Sequence, residues 1–65
     1  MTVKVLLDGM NLASYNRISV KVREPECGLV GLGGGYPDVI ASRFGELEVQ
    51  RTFVVDNVFH IVVYN

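Results

Sequence analysis

The chain has 65 residues, a mass of 7.2 kDa, 49% hydrophobic residues and a formal net charge of −1. This length allows one small domain, residues 1–65, and excludes a multidomain enzyme. Because dedicated nucleic-acid-binding proteins usually carry a clear excess of Lys and Arg, we do not expect nucleic acid as a partner.

A domain of this size buries only roughly 60% of the surface of its unfolded chain. Its hydrophobic core alone gives little stability, so a disulfide, a bound metal or oligomerisation is needed as well. Cys27 is the single cysteine and His60 the single histidine. An intrachain disulfide and a Cys/His zinc site within one chain are therefore excluded. Twelve valines make the chain unusually apolar for a small monomer. We expect a homodimer or a larger homo-oligomer, with no cofactor and no metal.

The compartment is predicted from the lone thiol and the N-terminal sequence. A single cysteine and the lack of a basic, apolar leader favour an intracellular, cytoplasmic protein. No apolar run approaches the roughly 20 residues of a transmembrane helix, so we expect no membrane partner.

The first element is predicted as a strand over Thr2–Leu7. One face would carry Val3, Val5 and Leu7, and the other Thr2, Lys4 and Leu6. The strand ends at the turn dipeptide Asp8-Gly9. Two interpretations of the next residues remain open. Asp8-Gly9 forms a hairpin turn with a returning strand, or Asp8 is the N-cap of a short helix that runs through Tyr15.

The segment Arg17–Glu24 is predicted as a strand that ends before Pro25. Its apolar residues Ile18, Val20 and Val22 alternate with a polar, mostly basic stripe. That stripe, a candidate for contact with a phosphate or an acidic partner, consists of Arg17, Ser19, Lys21 and Arg23.

The segment Gly28–Gly35 is predicted as a flexible or tightly turning loop because of its glycines. It precedes a helix predicted from Pro37 to Phe44, which Gly45 caps. Backbone amides in such a loop can bind a phosphate, and its leucines favour a flap that contacts a partner. The candidate binding residues in this region are Gly31, Gly33, Gly34, Gly35 and Tyr36.

The last segment is predicted as a hairpin with its turn at Asp56-Asn57. The expected partners are Val55 with Val58, Val54 with Phe59, Phe53 with His60, and Val49 with Tyr64. The final strand is then apolar on both faces, which favours a sheet that curls into a barrel or is covered by a second copy. The predicted fold is mostly β (α+β): a small antiparallel sheet or partly closed barrel of about four to five strands, with one short helix near residues 37–44.

Two further residues of this hairpin are candidates for binding. Arg51 lies on an otherwise apolar face, where it can snorkel, pair with a carboxylate or contact a ligand. His60 lies beside Phe53 in the expected register. It can titrate there, or it can pack in the sheet with its hydrogen bonds satisfied.

The segment Val5–Leu12 resembles the first strand and turn of the NYN and PIN-type ribonucleases, in which an apolar strand runs into Asp-Gly-x-Asn-Leu. In that family the aspartate helps to bind a catalytic divalent metal. The resemblance implies Asp8 as a metal ligand with Asn11 beside it. It covers about eight residues, whereas that family has a much longer, parallel, doubly wound domain.

These observations predict a small non-enzymatic binding protein of the inhibitor or adaptor type that acts on another protein as a homo-oligomer. Its size would suit a viral origin. The alternative is an oligomeric sponge or sensor for a nucleotide or other phosphate ligand, which uses the glycine-rich segment and the basic residues. A metal-dependent nuclease-like fragment that uses Asp8 is the remote alternative.

Overall fold

The computed structural model describes residues 1–9 and 17–64. Most of these residues lie in strands, which form one mixed four-stranded sheet that is not closed into a barrel. This confirms the predicted small α+β fold. The elements in chain order are α1 (Val3–Asp8), β1 (Arg17–Glu24), β2 (Gly28–Gly35), α2 (Pro37–Phe44), β3 (Val49–Val55) and β4 (Val58–Val63).

The strand order in the sheet is β2-β1-β4-β3. The outer pairs β1/β2 and β3/β4 are antiparallel hairpins, whereas the central pair β1/β4 is parallel. The sheet is therefore mixed, where we expected an antiparallel sheet or a partly closed barrel. A parallel pair needs a long crossover connection, and here the crossover includes α2, which packs against β1 and β2.

The first element is a helix, not the predicted strand. Val3 and Leu7 are one helical turn apart and both are buried. Thr2 caps the helix, because its hydroxyl accepts a hydrogen bond of 3.3 Å from the backbone N–H of Val5. An apolar run this short fits both the helical and the strand period, and burial against the core decides in favour of the helix.

Both interpretations of Asp8-Gly9 are wrong. Asp8 is the last residue of α1, and the Gly9 N–H bonds back to the carbonyl oxygens of Val5 and Leu6, at 3.3 and 3.2 Å. Asp8-Gly9 therefore closes a helix and neither turns a hairpin nor begins a helix. The returning strand or helix that we expected over residues 10–15 lies outside the described residues.

The segment Gly28–Gly35 is an edge strand, not the predicted loop. Residues 25–27 form a turn that folds it back onto β1, and the register pairs Val20 with Gly33 and Lys21 with Gly31, skipping Leu32. A β ladder is made by backbone groups, so the low strand propensity of glycine is offset by pairing with β1.

The helix α2 and its cap are confirmed. Pro37 lies in the first turn and Gly45 is the C-cap. Gly45 is buried, and a Cβ there would collide with the carbonyl oxygen of Ala41. Its own carbonyl oxygen accepts a 3.1 Å hydrogen bond from the N–H of Lys4, which ties α2 to α1.

The terminal hairpin is confirmed near its turn, where Asp56 and Asn57 have φ values of 52° and 62°. The expected pairing of Val49 with Tyr64 is wrong, because Val49 pairs with Val63 across an irregularity between Val49 and Arg51. This shift turns Val49 towards the core. The confirmed pairs are Val55 with Val58, Val54 with Phe59, and Phe53 with His60.

The core lies between the two helices and one face of the sheet. The predicted apolar face of β1 is confirmed as part of it. The buried residues of this cluster are Val3, Leu7, Ile18, Val20, Val22, Ile40, Phe59, Ile61 and Val63. Among the described residues, no helix is long and apolar enough to cross a membrane.

Candidate functional site on the open face of the sheet

The open face is the face of the sheet opposite α1 and α2. Side chains alternate along a strand, so the burial of Ile18, Val20 and Val22 against the helices sends the basic stripe of β1 to the open face. In register with it lie Val58, His60 and Val62 of β4, followed by Arg51, Phe53 and Val55 of β3.

The open face is cationic although the whole chain is nearly neutral. It carries four of the six Lys and Arg residues, namely Arg17, Lys21, Arg23 and Arg51. The other two are Lys4 on α1 and Arg43 on α2. The seven Asp and Glu residues lie in the helices, in the turns, before β3, or on the helix side of β1.

A groove of about 520 Å³ crosses the open face above β2, β1 and β4. Its lining includes Arg17, Ser19, Gly31, Leu32, Gly34 and His60. Gly31 and Gly34 pair with Lys21 and Ser19, so they lie on the open face of β2 without side chains to fill it. A Cβ added to Gly31 would meet no atom within 4 Å. The glycines therefore create the groove.

One wall of the groove is the end of an aromatic stack. The rings of His60 and Phe53 lie 4.6 Å apart, centroid to centroid, at an interplanar angle of 6°. The guanidinium carbon of Arg51 lies 5.6 Å from the centre of the Phe53 ring. Phe53 stacks on His60 from the β3 side, so the other face of the His60 ring is turned towards β1, where the groove lies.

Burial and a neighbouring charge favour the neutral form of His60. Burial of the ring, and secondly the positive charge of Lys21, lower the pKa of His60 below its usual 6.5. Its Nδ1 atom is buried and has no hydrogen-bond partner among the described residues. The Lys21 ammonium donates a hydrogen bond of 2.9 Å to the Ser19 hydroxyl oxygen, which holds both side chains beside the groove.

The structure brings most of the predicted site residues together. Gly31, Gly34, Arg17 and His60 line the groove. Lys21, Arg23 and Arg51 share the open face with them. The prediction did not include Phe53 as a site residue, although its expected pairing with His60 already placed an aromatic ring there.

Three predicted residues do not point into the groove, although the backbone of Gly33 lines it. A Cβ on Gly33 would contact the Phe44 ring, and one on Gly35 would contact Val39, so both positions face α2. Tyr36 is exposed at the N-cap of α2. Because Gly28–Gly35 is a strand paired with β1, the predicted loop of phosphate-binding amides is not formed.

The structure does not support the metal site implied by the ribonuclease resemblance. Asp8 ends a helix, whereas the family pattern places the aspartate after a strand. In residues 1–9 and 17–64, no three His, Cys, Asp or Glu side chains are grouped to hold a metal ion. Asn11 lies outside the described residues. The chain matches no protein-family model, no curated protein and no solved structure.

Proposed function

We propose that the protein is a non-enzymatic binding protein whose open face binds a small anionic ligand that carries a phosphate group. The observation that carries this proposal is a groove of about 520 Å³ that is lined by Arg17 and by no carboxylate among the described residues. The same face of the sheet also carries Lys21, Arg23 and Arg51. Small-molecule sites commonly have volumes of roughly 300–1,000 Å³. An arginine in such a groove, on a face with three further cations, favours an anion.

Arg17 is the residue best placed to hold the phosphate. Its side chain lines the groove and is exposed. A guanidinium group can bind two phosphate oxygens at once through parallel N–H donors. Lys21 follows four residues later on the same face, at about 13 Å along the strand. Its ammonium group contacts Ser19, so it contributes positive potential beside the groove.

Binding is favoured over catalysis by the chemistry of the groove. Its lining residues among those described include no carboxylate that could act as a general acid or base. His60 is the remaining candidate for proton transfer, but its Nδ1 is buried. The groove offers positive charge and a ring surface, which serve recognition.

The test is a titration with ribose 5-phosphate, measured by calorimetry, on the native protein, Arg17→Gln and Lys4→Gln. Loss of a hydrogen bond to a charged group costs roughly 1.5–3 kcal/mol, so Arg17→Gln should weaken binding at least about tenfold. Lys4→Gln removes the same charge from α1 and should leave the affinity unchanged. Absence of binding to the native protein at millimolar ligand, or equal effects of both variants, would refute the proposal.

A second candidate function is self-association through the outer edge of β2. This edge strand has no charged residue, and Leu29, Val30 and Leu32 are 38%, 37% and 39% exposed. Edge strands without charges are ready templates for pairing with another chain. A second copy that pairs there would extend the sheet next to the groove, because Gly31, Leu32 and Gly34 belong to both features.

A further inference from the structure

We propose that the ligand of the open face is a nucleoside phosphate whose base stacks on the groove side of His60 while its phosphate binds Arg17. This inference rests on the proposed function and narrows it from any phosphate-bearing ligand to one with a planar ring.

The stack that ends at the groove is the first observation. Phe53 of β3 stacks on His60 of β4, with the two rings nearly parallel at 6° and 4.6 Å apart, and Arg51 lies beside the Phe53 ring. Only one face of His60 is covered by Phe53. The second face is turned to the groove, where a planar group would continue the same stack. Nucleobases bind aromatic side chains in this way, whatever their hydrogen-bonding edge.

The buried Nδ1 atom of His60, which has no hydrogen-bond partner among the described residues, is the second observation. A protonated ring would place a buried Nδ1–H without an acceptor, and Lys21 lies close enough to disfavour the charge. His60 therefore offers a ring surface, while the charge that balances the phosphate comes from the arginine and lysine side chains. The site thus has two distinct positions: a ring at His60 on which a base can stack, and the basic side chains that bind the phosphate.

The register gives the spacing between these two positions. Ser19 lies opposite His60, and Arg17 lies opposite Val58. Arg17 and Ser19 are separated by about 7 Å along β1, a distance that a ribose between base and phosphate can span. On the other side of Ser19, Gly34 has no side chain that would occupy the space of the base.

The experiment compares the dissociation constants of AMP and ribose 5-phosphate, measured by calorimetry, for the native protein, His60→Phe and His60→Leu. A stacked base strengthens binding about tenfold or more, so native protein should prefer AMP by at least that factor. His60→Phe keeps an aromatic ring and should keep the preference. His60→Leu should abolish it while ribose 5-phosphate still binds. Thermal unfolding confirms that both variants fold.

The other outcomes separate the two proposals. Equal affinity of the native protein for both ligands, or an AMP preference that survives in His60→Leu, would overturn the stacking inference and leave phosphate binding intact. Failure of both ligands to bind would refute the proposed function as well. Binding of a ten-residue oligothymidylate much more tightly than AMP would indicate a single strand as ligand and overturn the assignment to a mononucleotide.

Discussion

The ring of Phe44 on α2 packs directly against Gly33 on β2. A Cβ on Gly33 would lie 2.9 Å from Cζ and 3.1 Å from Cε2 of Phe44. The Arg43 guanidinium carbon lies 5.0 Å from the centre of the same ring. Phe44 thus fills the space that a side chain would otherwise take, and this close approach holds the glycine-rich strand against the helix.

We expect Gly33→Ala to destabilise the protein, because the added methyl group forces the Phe44 ring to move. Overpacking of this kind costs roughly 1–3 kcal/mol. Urea denaturation measures the loss. Gly31→Ala is the matched control, since a Cβ there meets nothing within 4 Å, and its stability should equal or exceed that of the native protein. Equal stability of the two variants would contradict the packing of Phe44 on Gly33.

We expect Gly31→Val to abolish ligand binding without loss of stability. Gly31 lies on the groove and its φ is not positive, so a β-branched residue fits its strand conformation. The valine side chain would occupy the groove, and affinity for ribose 5-phosphate should fall at least about tenfold, or roughly 1.4 kcal/mol. Calorimetry and thermal unfolding together check this. Unchanged affinity in a stable variant would show that the ligand does not use the groove.

We expect stability to decrease as the pH falls from 7.5 to 5.5. The pKa of His60 is lowered in the folded protein by burial and by Lys21, so the unfolded chain binds the proton more readily. The stability that comes from keeping His60 neutral is therefore fully present above the unfolded pKa of about 6.5. It is lost as the pH falls from there to the lower pKa of the folded protein. Thermal unfolding at the two pH values measures the effect, which His60→Phe should reduce. An NMR titration should give a pKa below 6.5, and a value above 6.5 would contradict the prediction.

We expect Val30→Lys to weaken self-association if β2 is the interface between two copies. Lysine on an edge strand opposes pairing with another strand. Val55→Lys is the matched control on β3, the other edge strand, where Val55 is 50% exposed. Light scattering over a concentration series should show at least a tenfold larger dissociation constant for Val30→Lys alone, or roughly 1.4 kcal/mol. A native protein that stays monomeric at millimolar concentration would refute this candidate.

The elements that the sequence predicted correctly are those with local signals. β1 has strict alternation from Ile18 to Val22, α2 has Pro37 at its start and Gly45 at its end, and Asp56-Asn57 tolerates positive φ. α1 and β2 were predicted wrongly because their conformation depends on distant partners. Val3 and Leu7 are helical through burial in the core, and the glycines of β2 are extended through pairing with β1.

The sequence singled out individual residues of the candidate site, but it did not predict how they are arranged on the sheet. The alternation of β1 placed Arg17 and Lys21 on the same face, and the hairpin register placed Phe53 beside His60. The parallel pairing that places Ser19 opposite His60 has no local signal, because it depends on how α2 crosses the sheet. The groove could not be predicted while Gly28–Gly35 was interpreted as a loop.

The parallel pairing of β1 with β4 also determines the order in which the fold can form. Each outer hairpin closes a short loop, whereas the pairing of Arg17 with Val58 joins segments that are far apart in the chain. A single two-stranded hairpin is at best marginally stable in water. Joining the hairpins is therefore the slow, long-range step, and neither half is expected to persist alone before it. The groove, which is lined by residues of both hairpins, forms only when the two hairpins have joined.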